Sequence, residues 1–518
     1  MAIPATVLRS LSKLEETRAL MPHLAGVALA GVVLARRVTI HNDVPRRDVD
    51  GNILNAHDGA VVQFTASTDA PNTGFFMYGT VYENCTQSGP QCVAHATCGY
   101  VPNRYSLYHS PDMIEWTLRS DNIMPSVAVD NSVINYWMPN VFFNPLTNKY
   151  VMQFWSSHCG FHQKCAEIAL ADTPDGPFVP TATPLQLHDG AIPSSTMGLW
   201  IDPDSPGDAY IKYNTFQDSV DSSSRQRVAS SGHPKDGKQH HVIEKLAPDW
   251  LSTLPGTART IFWKPSFPWF EGGGLLKRAG IFYYTTGSDC CFCEWGGDVR
   301  YWSAHDALGP WHPGLAPPLP AAACDLAGVW HLTGVNQSGV VHVTEKRGTF
   351  GNFSYAGPNA SGIGWVEQAT GYVHSSGEAK PGVVTSADGR DAGCDRVRWY
   401  GYEDLSWCRA GSSCPTLVAP ELNPCLDGTA PVFGGATHNV PCIGHGERFK
   451  IPAQQFNNIH VRAATGGEDT WMFYGERSKS APDGFKSHNA QAWVPFTFAK
   501  NGELLPFGDM PETFALEI

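Results

Sequence analysis

Apolar and polar positions alternate in short runs along most of this chain, and after about residue 35 no long stretch keeps the 3.6-residue period of a helix. One run returns five times, a short aromatic strand beside a small or polar residue. It reads Gly74-Phe75-Phe76-Met77-Tyr78-Gly79, then Lys149-Tyr150-Val151-Met152-Gln153-Phe154, then Asp208-Ala209-Tyr210-Ile211-Lys212-Tyr213. It recurs as Gly280-Ile281-Phe282-Tyr283-Tyr284-Thr285 and Thr470-Trp471-Met472-Phe473-Tyr474-Gly475. The first three intervals are roughly 60 to 75 residues, and the last is roughly 190, one interval plus an insertion of about 115. Three blocks carry a second phrase: a strand, a polar turn, then an aromatic plug. The plugs are Trp116 after Tyr105–Asp112, Phe178 after Ile168–Asp172, and Trp311 after Tyr301–Asp306. Repetition of a strand-rich unit on this scale predicts an all-β chain, a five-bladed β-propeller with an inserted small β-rich domain before the fifth blade.

The segments follow from where the pattern starts and breaks. Residues 1–45 read as a signal or anchor segment and linker, 46–323 as blades one to four, 324–440 as the insertion, and 441–518 as blade five and ring closure. The insertion is rich in Gly and Ser, with alternating runs such as Val340-Val341-His342-Val343-Thr344. The leader holds an apolar stretch of about 12 residues, Leu24–Ala35, too short for a comfortable membrane span but suited to a secretory signal or an N-terminal anchor.

Composition narrows the class. Charged residues make up only 16% and aromatics 11%, which excludes a disordered or coiled-coil chain, and 51 Gly with 39 Pro suit many strands joined by turns. A net charge of -13 with no basic run argues against nucleic acid or anionic membranes as partners. The 14 cysteines stand mostly in loop-like surroundings without paired C-x-x-C motifs, so disulfides are favoured over zinc. Sequons begin at Asn84, Asn336, Asn352 and Asn359, three of them in the insertion. Together these features predict a secreted or secretory-pathway glycoprotein.

Three places put polar residues beside blade strands. In Asn55-Ala56-His57-Asp58-Gly59-Ala60, a carboxylate enters a buried strand, which is costly unless it is paired. Asp58 either faces a central pocket or bonds its own turn backbone. In Trp269-Phe270-Glu271-Gly272-Gly273-Gly274, apolar surroundings favour the protonated form of Glu271, as a general acid requires, and the glycines permit close approach of a ligand or of backbone. The alternative for Glu271 is an ion pair with Arg278 or Arg300. In Ile451-Pro452-Ala453-Gln454-Gln455-Phe456, the Gln454 amide either orients water or a hydroxyl, or bonds neighbouring backbone.

These phrases, in order, resemble glycoside hydrolase family 43, five-bladed propeller glycosidases, and most of all its exo-β-1,3-galactanase-like branch. The resemblance rests on Asp48–Asn52 with Ala56–Val61, on Phe75–Thr80, on Trp137-Met138-Pro139-Asn140-Val141 with Asn144–Met152, on Glu271–Tyr283, and on Ala453–Phe456 with Tyr474–Ser478. It spans residues 48–312 and 445–518 and leaves the insertion outside. The resemblance implies that Glu271 is the catalytic acid, that Asp58 fills the slot of the general base, and that Gln454 matches the glutamine used by the galactanase branch. It also implies an inverting mechanism, with His57, Trp137, Asn140, Thr80 and Glu476 as substrate-binding candidates. Several acidic positions of the family are neutral here. Asn140 stands where the wider family has an Asp that tunes the acid, Trp137 and Thr80 replace glutamates of the galactanase branch, and Thr196 replaces an Asp before the blade-three strand.

The expected partner is therefore a polysaccharide or oligosaccharide, from which a galactosyl, arabinosyl or xylosyl unit is removed. The alternative is a propeller that binds carbohydrate without cleaving it. No cofactor is required; a structural calcium is known from some relatives, with His445 as a nearby candidate ligand.

Overall fold

The computed structural model describes residues 36–518 apart from 66–71, 84, 87–103, 126–135, 157–164, 188–192, 194–196, 216–237, 266–269, 289–298, 317–327, 464–466, 508–509 and, between 328 and 452, everything but the backbone of the strands. The leader stretch, Thr196 and His445 lie outside the described residues, and so do the sequon asparagines Asn84, Asn336 and Asn359 and the side chain of Asn352.

Five antiparallel sheets form the ring. Blade one is His57–Phe64, Gly74–Val81, Arg104–Ser110 and Thr117–Ser120. Blade two is Tyr136–Asn144, Lys149–Ser156, Cys165–Ala171 and Val179–Pro180. Blade three is Met197–Ile201, Ala209–Thr215, Lys238–Lys245 and Arg259–Pro265. Blade four is Phe270–Arg278, Ile281–Ser288, Val299–Ala304 and His312–Pro313. Blade five shows three strands, Gln454–Val461, Thr470–Glu476 and Gln491–Pro495. Each of the five aromatic phrases is the second strand of its blade, one place out from the hub.

The core explains why there are five blades. Five separate clusters of buried side chains fill the five gaps between successive blades, and each takes residues from both neighbours. Blade one meets blade two through Phe76, Tyr78 and Tyr105 against Tyr150, Met152 and Phe154. Blade five returns to blade one through Ile459, Met472 and Trp493 against Val61, Met77 and Trp116. That last cluster also holds Val38, Ile40 and Leu516. They belong to a two-stranded ribbon in which Arg37–His41 pairs antiparallel with Thr513–Glu517, so the two ends of the described chain are tied at the seam. The plugs Trp116, Phe178 and Trp311 are all buried. Burying a side chain of this size contributes on the order of 1.5–3 kcal/mol. The exposed ion pairs Lys149–Asp172 and Arg119–Asp175 contribute about 0–1 kcal/mol each, so apolar packing decides the ring.

The backbone strands Gly328–Gly334, Gln337–Glu345, Asn352–Ala356, Ser361–Glu367, Tyr372–Ser376, Ser386–Asp388, Arg396–Trp399 and Ser406–Arg409 form a closed antiparallel barrel. It closes by pairing the first strand with the last, from Trp330↔Arg409 to Thr333↔Ser406. Among the described residues, no helix is long and apolar enough to cross a membrane. Cys85 and Cys165 are disulfide-bonded; the other cysteine side chains fall outside the described residues.

Candidate active site

The inner strands of blades one, two, four and five share one irregularity. Their pairing with the second strand slips between His57 and Ala60, between Trp137 and Asn140, between Glu271 and Gly274, and between Gln455 and Asn457. A bulge of this kind re-aims a side chain out of the normal alternation. In blades one, two and four the first bulged residue is left-handed: Asp58 at φ 55°, Met138 at φ 53° and Gly272 at φ 63°. Asp tolerates this region better than most residues. His57, Trp137, Glu271 and Gln455 are thus equivalent positions around the hub, and Asp58 stands one residue further along its strand.

Asp58 does not bond its own turn. Its Oδ2 accepts from the Tyr82 hydroxyl, and its Oδ1 lies 3.8 Å from Lys486 Nζ. Oδ1 is buried and has no hydrogen-bond partner among the described residues. Burial pushes the Asp58 pKa up to about 6; the Lys486 charge, the Tyr82 hydrogen bond and His57 oppose this, and the Glu476 charge adds to it.

His57 and Glu476 meet beneath it. His57 Nδ1 is 3.2 Å from Glu476 Oε2 and Nε2 is 3.1 Å from the Ser487 carbonyl. Both partners are acceptors when Glu476 is ionised, so both contacts are complete when both ring nitrogens carry hydrogen. Glu476 also accepts from Lys486 Nζ and, at 2.9 Å, from Asn489 Nδ2. Burial pushes its pKa up, but Lys486 and His57 outweigh this and hold it below the usual carboxylate range. With its carboxylate engaged in this way, Glu476 serves the cluster and has little left to offer a sugar hydroxyl.

Glu271, half-buried, opens the bulge of blade four. The Thr286 hydroxyl donates to its carbonyl at 3.0 Å. Upstream, Asn214 and Gln239 each donate to the Phe270 carbonyl at 3.0 Å, and Phe270 N–H donates to Gln239 Oε1, which fixes the strand just before the carboxylate. Arg278 pairs with Glu468 instead of Glu271. Among the described residues, Lys212 is a charged neighbour of Glu271; it is almost fully buried, and its Nζ donates to the Gly272 carbonyl at 2.8 Å. Burial lowers the Lys212 pKa to about 7, and the Glu271 charge opposes that fall.

The glycines after Glu271 serve backbone and not ligand. A Cβ on Gly272 would fall 1.7 Å from the Gln455 carbonyl oxygen, and one on Gly273 1.9 Å from that of Thr285. Blade four therefore rests directly on blade five here. Gly272→Ala is expected to cost several kcal/mol or prevent folding, since both the space and the φ forbid it; a urea melt within about 0.5 kcal/mol of the parent would contradict this packing.

A neutral floor underlies the site. Asn457 Nδ2 donates to Asn140 Oδ1 at 2.5 Å, joining blade five to blade two across the hub. Gln455 Nε2 donates to Thr285 Oγ1 and Asn458 Oδ1, each at 2.8 Å. Asn140 is thus a hub cross-link where the resemblance places a carboxylate. Beyond this layer, the distal halves of the inner strands line a cavity of ≈ 90 Å³ that includes Gln63, Trp200, Asn457 and His460. Among the described residues, no group of three His, Cys, Asp or Glu is placed to hold a metal ion.

The remaining candidates are spread along the same rim. Thr80 pairs with His57 in register, and its hydroxyl donates to the Tyr136 carbonyl at 3.5 Å. Trp137 is buried and stacked on Trp155 at 4.2 Å between ring centroids, so it is packed behind the rim instead of forming an open wall. Gln454 pairs with Glu476 and is 9% exposed. The structure thus joins Asp58, His57 and Glu476 in one buried cluster, with Thr80 and Gln454 as their strand partners. Glu271 stands on blade four, and blade five's inner strand packs against those of both blade one and blade four. Tyr82, Lys486, Asn489, Asn457 and Lys212 join the site without standing among its candidates in the sequence. Of these only Lys212 carries a local signal, a charge inside an aromatic phrase.

No family model matches the chain, and no curated protein matches it. Solved structures do resemble it in chain path. An exo-β-1,3-galactanase from Clostridium thermocellum is 14% identical over 92% of this chain and 66% of its own, with a TM-score of 0.46. An exo-β-1,3-galactanase from Phanerochaete chrysosporium with bound galactose is 13% identical over 92% and 68%, with a TM-score of 0.48. A family 43 β-1,3-galactosidase with galactodeoxynojirimycin is 14% identical over 91% and 99%, with a TM-score of 0.45. The chain spans about two thirds of the length of both galactanases. At these identities and scores, the likenesses assign no chemistry to the site.

Proposed function

We propose that this chain is a glycoside hydrolase that removes a galactosyl, arabinosyl or xylosyl unit from a polysaccharide with inversion. The observation that carries the reading is Asp58: a buried carboxylate at the hub end of an inner strand, one oxygen held by Tyr82 and the other without a donor among the described residues. In this reading Oδ1 of Asp58 takes a proton from water, Glu271 protonates the leaving oxygen from blade four, and Gln454 helps to place the water. Inversion needs roughly 6.5–9.5 Å between the two carboxyl groups to admit that water. Asp58 works as a base only when ionised, so kcat/KM rises with pH through a midpoint near 6. Disulfide-bonded Cys85 and Cys165 support a protein of an oxidising compartment.

A specific observation favours a second reading, a propeller that binds glycans without cleaving them. Asn140, where the resemblance places the carboxylate that tunes the acid, is neutral and is tied to Asn457 across the hub. One experiment separates the two: assay of aryl galactosides, arabinosides and xylosides together with β-1,3-galactan, alongside glycan binding by calorimetry. Turnover with a rising limb near pH 6 supports hydrolysis; binding without turnover on every substrate supports the second reading.

A further inference from the structure

Among the described residues, the cluster that holds Asp58 has two carboxylates, Asp58 and Glu476, and one lysine, and the lysine is not divided evenly. Lys486 is almost fully buried. Its ammonium bonds Glu476, lies 4.7 Å from the centre of the Tyr82 ring, and stands 3.8 Å from Asp58 Oδ1, beyond hydrogen-bond reach. Its backbone is anchored to blade one: Lys486 N–H donates to the Cys85 carbonyl at 2.9 Å, and Phe485 forms a bridge with Thr86. The lysine comes from the connection between the second and third strands of blade five, so one side chain couples the two blades that meet at the seam. A lysine bonded directly to Oδ1 would occupy the oxygen that must accept a proton; a lysine removed altogether would leave Asp58 facing Glu476 unscreened.

Resting on the reading of Asp58 as the base, we propose that Lys486 is a positioning residue: held by Glu476 just outside bonding distance of Asp58, it keeps the base ionised while leaving its reactive oxygen without a hydrogen bond. Asp58 faces His57, Tyr82 and Tyr105 from blade one, and Glu476, Tyr474 and Lys486 from blade five. Two variants should therefore move it in opposite directions. Lys486→Met removes the attractive charge and raises the midpoint of the acid limb of kcat/KM by about 1–3 pH units. Glu476→Gln removes the repulsive charge and frees Lys486 to close on Asp58, lowering the midpoint by about 1 unit or more. Lys486→Arg keeps the charge and should hold the midpoint near the parent value. A purely structural role gives no such pattern of signs.

A second readout does not need turnover. Protein labelled with ¹³C at the Asp side-chain carboxyl is titrated by NMR, with the Asp58 resonance assigned from its loss in Asp58→Asn. Opposite shifts of that resonance's midpoint in the two variants establish that Lys486 holds Asp58 ionised, even where every substrate proves inert and the hydrolase reading fails. Midpoints that stay within 0.3 pH units of the parent, or move the same way in both, overturn the proposal, even where the parent is an active glycosidase. If Lys486→Met does not fold, Lys486→Gln takes its place: an upward shift supports the proposal and an unchanged or downward one refutes it.

Discussion

Glu271→Gln should lower turnover by about 10²–10⁴-fold on substrates with poor leaving groups, while substrate binding changes by no more than a few-fold. Glutamine keeps the size and the hydrogen-bonding reach of the side chain, and the strand around it is fixed independently by Asn214, Gln239 and Thr286. What disappears is the transferable proton. The defect should therefore shrink on aryl glycosides whose leaving group departs without protonation, and persist on β-1,3-linked saccharides. Equal loss on both classes would mean that Glu271 binds or positions substrate. No loss on either would remove it from the reaction.

Asp58→Asn should also lower turnover by about 10²-fold or more, and at the same time stabilise the protein at neutral pH. The second effect follows from linkage. An unfolded Asp titrates near 3.9, whereas burial holds Asp58 at about 6 in the fold. The folded state keeps its proton longer, so stability falls as pH rises between those values, and ionised Asp58 costs up to about 3 kcal/mol at pH 7. Asparagine carries no charge, accepts from Tyr82 through its Oδ1, and tolerates φ 55°. Lys486 keeps Glu476 as its partner. Urea melts at pH 7.5 should show a gain of about 1–3 kcal/mol that vanishes at pH 4, where Asp58 is already protonated. A loss of stability at pH 7.5 would instead make Asp58 a structural counter-ion of Lys486.

The ring is written plainly in the sequence because it depends on local repetition. The five aromatic phrases become the five second strands, and the plugs Trp116, Phe178 and Trp311 are buried as their positions after polar turns suggest. The inner strands that carry Asp58 and Glu271 are legible for the same reason. The site's partners are not. Lys486 lies in Ala481-Pro482-Asp483-Gly484-Phe485-Lys486, which reads as a solvated turn, and nothing local marks its contact with a residue more than 400 positions away. Gly272 and Gly273 show the converse problem. Their need for space is visible, but whether a ligand or another blade fills it depends on ring closure. Trp137 is likewise a substrate-binding candidate in the sequence, and only the fold shows Trp155 laid against its face.

The most direct test of the account is the configuration of the sugar first released. Proton NMR of a digest of β-1,3-linked galacto-oligosaccharide, or of the aryl β-glycoside that proves active, should show the α-anomer first, with the β-anomer growing only by mutarotation. Initial release of the β-anomer would contradict a water activated by Asp58 opposite Glu271, and so would folded protein that binds these sugars and releases none.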